Sequence, residues 1–441
     1  MLCLGVFINL FAEIVPKIEV FATSFVALLP LVFVKVYTRQ VAINTQVISD
    51  AIAPPSQNLT LTQALKSAAD IATYSADNAP NIDISGAFPQ QEFELIAEAG
   101  LLAAPLQRDL GGLGLGFDAS ITYQTLTILK HIGRGNLAVG RIYEGHVNAL
   151  QLIQTFGTKE QIEQLASDAR DRQKIFGVWN AEAEDGVKII PLADGQYRLE
   201  GSKTFASGSG YVERPFVNGA LSDGSWQMCI VPMDEVATVS DPAWWQPMGM
   251  RATASYKVDF TGVELSSKWL IGKPGDYFQQ PWLSAGVMRF AAVQLGGAEA
   301  IFDATRQYLR ELNRIDDPHQ QARIGKMAIA IESGNLWLKG AADLVAAYSP
   351  IFGGYPNQAH PQAKQLVAYA NMVRTAIEQI CMDVIQLCER TVGTRGLLPP
   401  HPIERIIRDL TLYLRQPVFD LALGSVGQYA LTENTLVNDL W

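Results

Sequence analysis

The 441 residues exceed what one hydrophobic core holds and allow about two to four domains. Acidic residues outnumber basic ones by 44 to 34 without any basic block, so we expect no nucleic-acid partner. The four cysteines lack C-x-x-C spacing and the five histidines lack metal-ligand spacing, which favours a cytoplasmic protein with reduced thiols and no metal site.

Residues 1–45 form an apolar N-terminal extension of uncertain status. Residues 20–34 are almost wholly apolar, but a spanning helix needs about 20 such residues and Pro30 interrupts the run. A secretory signal is not favoured, because residues 1–16 carry no basic side chain ahead of the apolar run. Three alternatives stay open: an extension that is not part of the native protein, a membrane anchor, or an additional packed helix. Membrane contact is expected only through residues 20–34.

Hydrophobic periodicity divides the rest of the chain into three parts. Residues 46–172 show helical spacing, and residues 173–275 show short alternating runs between Gly, Asp and Pro turns. Residues 276–441 return to long helical periods. The pattern predicts an α+β protein with an N-terminal helical domain, a middle β domain and a C-terminal helical bundle.

Several ordered motifs resemble those of the acyl-CoA dehydrogenase superfamily. They include a glycine-rich turn, a Gly-Thr-Lys-Glu-Gln helix start, a Lys-x-Phe-x-Ser strand, a Gly-x-Arg-x-Thr segment and a Gly-x-x-Gly loop, at residues 111–116, 157–161, 203–207, 249–253 and 393–396. The resemblance implies an N-terminal helical domain, a central antiparallel β-barrel and a C-terminal four-helix bundle. It also implies FAD, with FMN as the alternative, bound between the β domain and the bundle, a small-molecule substrate, and a homodimer or homotetramer.

The resemblance further implies which residues contact the flavin. In the family, two strands hold the ring system, through a backbone or hydroxyl donor at its pyrimidine edge and an aromatic ring over its face. A second family motif, Gln-x-x-Gly-Gly, is matched here only at its first glycine. The residues that these motifs assign to the cofactor are Trp179, Ala181, Phe205, Ser207, Arg390, Gly393 and Thr394.

Position 417 departs most from the family. The catalytic carboxylate is expected nine residues beyond the arginine that matches Arg408, and that residue is Pro417. Dehydrogenation needs a carboxylate to remove a proton and an N–H to hold the enolate oxygen, and proline has neither. Met288 occupies the alternative base position of some relatives, which leaves Asp420 as the nearest carboxylate.

The loop Glu182–Asp185 also departs from the family, because it replaces a glycine-serine turn that faces the acyl-CoA entrance. Its carboxylates would repel an anionic coenzyme A. Standard acyl-CoA binding is therefore in doubt.

The segment Phe290–Ala298 is small and apolar along one helix face. Such a face suits close helix packing, and family members pair through their bundle. We therefore expect a homo-oligomer.

Three functions follow as hypotheses. The first is a flavin-dependent oxidoreductase with a non-standard substrate, in which Asp420 is the candidate base. The second is a reduced-flavin monooxygenase similar to dibenzothiophene monooxygenase, which needs no such base and could use Arg415 or Ser207 as a hydrogen-bond donor to oxygen. The third is a flavin-binding or empty scaffold without turnover.

Overall fold

The computed structural model of the protein describes residues 59–280, 282–352, 361–416 and 419–441. Segment 1–45 and Pro417 lie outside the described residues, so the predictions made for them stay predictions. The described part contains no helix that is both long and apolar enough to cross a membrane.

A helical region begins the described chain, as periodicity predicts. Thr158 and Gln161, whose spacing is that of a capping box, form one at the start of its last helix: each side chain accepts a hydrogen bond from the other's backbone N–H, at 3.3 and 2.9 Å. The Gln161 amide also donates to the carbonyls of Lys268 and Leu270, which ties this helix to the strands. The helices are α1 (Leu61–Ser85), α2 (Gln90–Glu98), α3 (Thr122–Gly135), α4 (Leu137–Phe156) and α5 (Lys159–Arg170).

Two sheets follow the helical region. The larger has the strand order β10-β6-β5-β2-β3-β9, with β1 paired to β5, and the smaller has the order β4-β8-β7. The strands are β1 (Phe176–Trp179), β2 (Lys188–Pro191), β3 (Gln196–Glu200), β4 (Ser202–Ala206), β5 (Arg214–Ala220), β6 (Trp226–Ile230), β7 (Val239–Asp241), β8 (Tyr256–Asp259), β9 (Glu264–Ser266) and β10 (Leu270–Ile271).

This sheet region is not the antiparallel barrel that the resemblance implies. β1 and β2 both pair in parallel with β5, and the described strands do not close into a barrel. Parallel pairing needs a long connection, which the chain between Trp179 and Arg214 supplies. The alternating pattern of a single strand predicts that the strand exists but carries no information about its partner.

The carboxyl-terminal region is helical, but a four-helix bundle is not confirmed. Its described residues form three long helices and two short ones, and α3 of the first helical region packs against the first of them. An ion pair of 2.7 Å between Lys130 of α3 and Glu299 joins these two helices. The helices are α6 (Trp282–Glu311), α7 (Pro318–Phe352), α8 (Pro361–Gly396), α9 (Ile403–Tyr413) and α10 (Phe419–Thr432).

The small apolar face Phe290–Ala298 is covered within the chain. A Cβ at Gly296 would lie 2.2 Å from the carbonyl oxygen of Lys130, and one at Gly133 would lie 2.5 Å from that of Val293. The backbones of α3 and α6 therefore approach as closely as glycine allows. Periodicity predicts close packing here correctly, but this face is not exposed for a second copy. The homo-oligomer itself stays a prediction.

His146 of α4 connects the first helical region to the sheet. Its Nδ1 accepts the N–H of Phe176 at 3.0 Å, so the proton lies on Nε2, which donates to the carbonyl of Leu102 at 2.8 Å. The ring is fully buried. Burial lowers the pKa of His146 to about 4, and the hydrogen bond to Leu102 opposes this shift.

Because His146 is buried in its neutral form, we expect the folded protein to lose stability at acidic pH. The pKa of His146 in the folded state lies below its unfolded value near 6.5. The contribution of the neutral ring to the free energy of unfolding is therefore fully present above pH 6.5, and it is lost as the pH falls from there towards about 4. The loss amounts to about 3 kcal/mol of unfolding free energy. Denaturant unfolding at several pH values should show a smaller decline in His146→Gln than in the wild type. Equal declines in both proteins would contradict the assignment.

Candidate functional site

The structure brings together the two strands to which the resemblance assigns the flavin. The indole N–H of Trp179 donates to the carbonyl oxygen of Ser207 at 2.9 Å. The carbonyl of Ala181 accepts the N–H of Thr204 at 2.9 Å. The Trp179 ring is buried against Phe260 and helps to hold the two strands together. Because it is buried, a different residue must supply the aromatic surface that covers the flavin.

Phe205 supplies that surface. Its side chain is 52% exposed, and its backbone has a φ of +51°, in the left-handed region that bulky side chains avoid. Trp244 and Trp245 meet its ring edge to face, with centroids 4.9 and 5.9 Å away. Strain at an exposed aromatic residue is typical of ligand-binding positions. The tryptophans are missing from the sequence-based site, although an adjacent Trp-Trp pair is a signal that could have drawn attention to them.

A row of hydroxyl groups lies behind Ser207. Its Oγ is 2.8 Å from Ser255 Oγ, which is 2.7 Å from Thr253 Oγ1. Thr253 donates its only hydroxyl proton to the carbonyl of Met250 at 2.8 Å, so Ser255 donates to Thr253 and Ser207 donates to Ser255. In this arrangement the Ser207 hydroxyl offers a lone pair to a ligand. The sequence-based expectation is that the Ser207 hydroxyl donates a hydrogen bond to oxygen. It could do so only if every hydrogen bond in this row ran in the opposite direction.

Helix α9 holds the loop that carries these hydroxyls. The Asp409 carboxylate accepts the N–H of Met250 at 2.6 Å, and Arg408 donates to the carbonyl of Met248 at 2.8 Å. A Cβ at Gly249 would lie 2.3 Å from the Arg408 carbonyl oxygen. Burial raises the pKa of Asp409 to about 6, and Arg405, whose guanidinium lies 3.5 Å from the carboxylate, opposes this rise. Met250 itself has a φ of +56°, so this contact holds a strained loop.

A polar cluster on one face of α4 extends the site towards α6. Arg141 donates to Glu144 at 2.9 Å, and the Asn148 amide donates to the other oxygen of the same carboxylate. Arg289 of α6 donates to Asn148 through Nε and to Gln151 through Nη2, the latter at 2.6 Å. Sequence reasoning missed this cluster. Polar residues three or four apart in a helix that is otherwise almost wholly buried are the signal that could have found it.

Two tyrosines lie near this cluster. Burial raises the pKa of Tyr277 to about 12, with Glu144 adding to the rise and Arg141 opposing it. Burial likewise raises the pKa of Tyr413, on which the same two charges act. The Tyr413 hydroxyl is buried and has no hydrogen-bond partner among the described residues. Tyr413 lies one turn beyond Asp409, so α9 serves both the hydroxyl loop and the cluster.

The cluster adjoins the strand that leads to the predicted flavin residues. A Cβ at Gly145 would lie 3.4 Å from the Arg141 guanidinium and 3.8 Å from the N atom of Val178 in β1. Beyond Val178, the Oδ1 atom of Asn180 is buried with no partner in the described structure. The cluster, β1 and the Phe205 region therefore form one candidate site.

The remaining predicted site residues lie elsewhere on the surface. Arg390, Gly393 and Thr394 are exposed near the end of α8, where Gly393 has a φ of +59°. Arg415 is exposed and donates to Glu378 at 3.1 Å. Asp420 is exposed in the first turn of α10 and acts electrostatically on Glu378. No described contact joins these five residues to Trp179 or Ser207, and their roles stay predictions.

The acidic loop carries less free charge than its sequence indicates. Glu182 forms an ion pair with the buried Lys203, and Asp185 pairs with Lys257 at 2.7 Å. Of the three carboxylates, only Glu184 has no such partner among the described residues. The expected repulsion of coenzyme A is therefore weaker than a count of carboxylates predicts.

This architecture is similar to that of known proteins. Family models match residues 61–169, as the acyl-CoA dehydrogenase N-terminal domain, and residues 288–415, as the acyl-CoA dehydrogenase C-terminal domain. A dibenzothiophene monooxygenase of Mycolicibacterium goodii is 23% identical over 381 residues, covering 80% of this chain and 89% of the relative. The short-chain-specific acyl-CoA dehydrogenase of Clostridium acetobutylicum is 26% identical over 349 residues, covering 75% and 86%.

A solved structure shares the fold. The FMN-bound TdsC of Paenibacillus sp. A11-2 superposes with a TM-score of 0.76 at 22% identity, covering 86% of this chain and 99% of its own. The two family models flank the sheet region and together span more than half of the sequence. The chain therefore belongs to the acyl-CoA dehydrogenase superfamily.

Proposed function

We propose that this protein is a flavin-dependent oxidoreductase, with FMN or FAD held at the Phe205 region. The observation that carries the proposal is the strained, half-exposed Phe205 ring beside Trp244 and Trp245, which offers aromatic surface to a flat ring system. Asn180 Oδ1, which has no partner in the described structure, and the remaining lone pair of Ser207 are acceptors for the N–H of a pyrimidine edge. A bound flavin supplies two-electron redox chemistry.

We further propose that the reaction is an oxygen-dependent monooxygenation of a small molecule. Pro417 supplies no base, and the carboxylates of the site are already engaged. Glu144 accepts from Arg141 and Asn148, and Asp409 accepts from Met250. The similarity to dibenzothiophene monooxygenase supports the same choice. The chain's part in such a reaction is to bind the substrate, exclude water and offer hydrogen bonds.

Flavin titration tests the proposed cofactor site. We expect the purified protein to be yellow or to take up FMN or FAD, with the change in visible absorbance reporting the occupancy. Phe205→Ala should weaken the affinity about 10-fold, because loss of one aromatic stacking contact costs about 1 to 3 kcal/mol. Tyr123→Ala removes a comparably exposed aromatic ring from α3 and serves as the control. Failure to bind either flavin, or equal weakening in both variants, would refute the assignment.

A further inference from the structure

The guanidinium of Arg289 is buried without a compensating charge. Its side chain is 5% exposed, and it donates to the amide oxygens of Asn148 and Gln151. No described carboxylate lies within 4.0 Å of it, and the one carboxylate of the cluster, Glu144, pairs with Arg141. A buried charge without a counter-charge is strongly destabilising. The cluster therefore carries one uncompensated positive charge.

The same cluster is short of hydrogen-bond acceptors. The Tyr413 hydroxyl and the Gln151 Nε2 are both buried without a partner in the described structure, and both can donate. Tyr413 is only 3% exposed and Gln151 only 2%. Each buried donor without an acceptor lowers the stability of the folded chain. A ligand that satisfied all three groups would be negatively charged and would accept hydrogen bonds.

We propose that this cluster binds an anionic oxyacid group of the substrate, such as a carboxylate or sulfonate. The inference deepens the proposed function, because it rests on the cluster lying beside the strand that leads to the flavin residues. Arg289 supplies the charge, and Tyr413 donates a hydrogen bond from α9. The substrate is then a small organic acid, and the aromatic or aliphatic part to be oxidised extends from the cluster towards Phe205.

A matched pair of probes tests the charge preference. Calorimetric titration of the full chain with 2-naphthoate and with its uncharged analogue 2-naphthamide should show the acid binding about 10-fold more tightly, as expected for hydrogen bonds to a charged group. Arg289→Met should abolish this preference, whereas Arg289→Lys should keep part of it. Tyr413→Phe should weaken naphthoate binding about threefold to tenfold and leave naphthamide binding nearly unchanged.

Arg134→Met is the control, because it removes the same charge from an exposed ion pair on α3. Equal affinity for the two probes, or an equal effect of Arg134→Met and Arg289→Met, would overturn the proposal. If Arg289→Met does not fold, the Tyr413→Phe result decides whether the cluster binds the acid group, because this variant loses only one oxygen atom and should fold normally. Flavin uptake measured on the same samples separates the two proposals: flavin binding without acid preference refutes only this inference, and acid preference without flavin binding refutes only the cofactor.

Discussion

Replacing Asp409 with alanine is expected to lower the free energy of unfolding by about 3 to 5 kcal/mol, the usual cost of removing one partner from a buried ion pair. The change leaves the buried Arg405 without its carboxylate and the N–H of Met250 without its acceptor. Because Met250 is held at positive φ, its loop should relax once the bond is lost. Flavin affinity should fall with stability, since this loop positions the hydroxyls behind Ser207.

Chemical denaturation at pH 7.5 measures this effect. Asp409→Asn is the matched control, because an amide oxygen can still accept from Met250 while the charge is removed. We expect Asp409→Asn to lie between the wild type and Asp409→Ala. A loss below about 1 kcal/mol in Asp409→Ala would show that the α9 contact does not hold the loop.

Pro417→Glu is expected to create acyl-CoA dehydrogenation where the wild type has almost none. A general base contributes a factor of about 100 to 10,000, and glutamate restores both the carboxylate and the backbone N–H. We expect the gain to be at the lower end of that range or below it. Met288 leaves the alternative base position empty, and Glu184 is exposed without a cationic partner among the described residues.

The control for this gain is Pro417→Gln, which restores the N–H and a similar side-chain shape without the carboxylate. Turnover is measured with butyryl-CoA and a dye acceptor. An equal gain in both variants would show that the N–H, and not a base, limits the reaction. No gain in Pro417→Glu would show that position 417 does not lie where the family has its base.

The long-range geometry of the site could not be predicted from sequence, although several local features could. The spacing from Thr158 to Gln161 predicts its cap because both partners lie within one helical turn. The motif resemblance similarly assigns Trp179 and Ser207 to one flavin site, and the structure joins these two residues by a hydrogen bond. These predictions depend on short stretches of chain or on a shared motif order.

The polar cluster depends on contacts that no local pattern encodes. Glu144 and Asn148 look like ordinary polar positions of a helix in the sequence. In the structure Glu144 is buried and acts electrostatically on Tyr413, and Asn148 accepts a hydrogen bond from Arg289 of a distant helix. Likewise, the small residues around Gly296 predict close packing but do not identify α3 as the neighbour. The domain boundaries and the flavin contacts of Arg390, Gly393 and Thr394 stay predictions.

The most direct test of the account is the anaerobic addition of butyryl-CoA to the flavin-loaded wild-type protein. If the protein is a flavin-dependent oxidoreductase that lacks the acyl-CoA base, the visible absorbance should stay unchanged for minutes. Reduced flavin made chemically in the same cuvette should regain its colour when oxygen is admitted. Rapid bleaching by butyryl-CoA, abolished in Asp420→Asn, would contradict the account and show that Asp420 acts as the base of an acyl-CoA dehydrogenase.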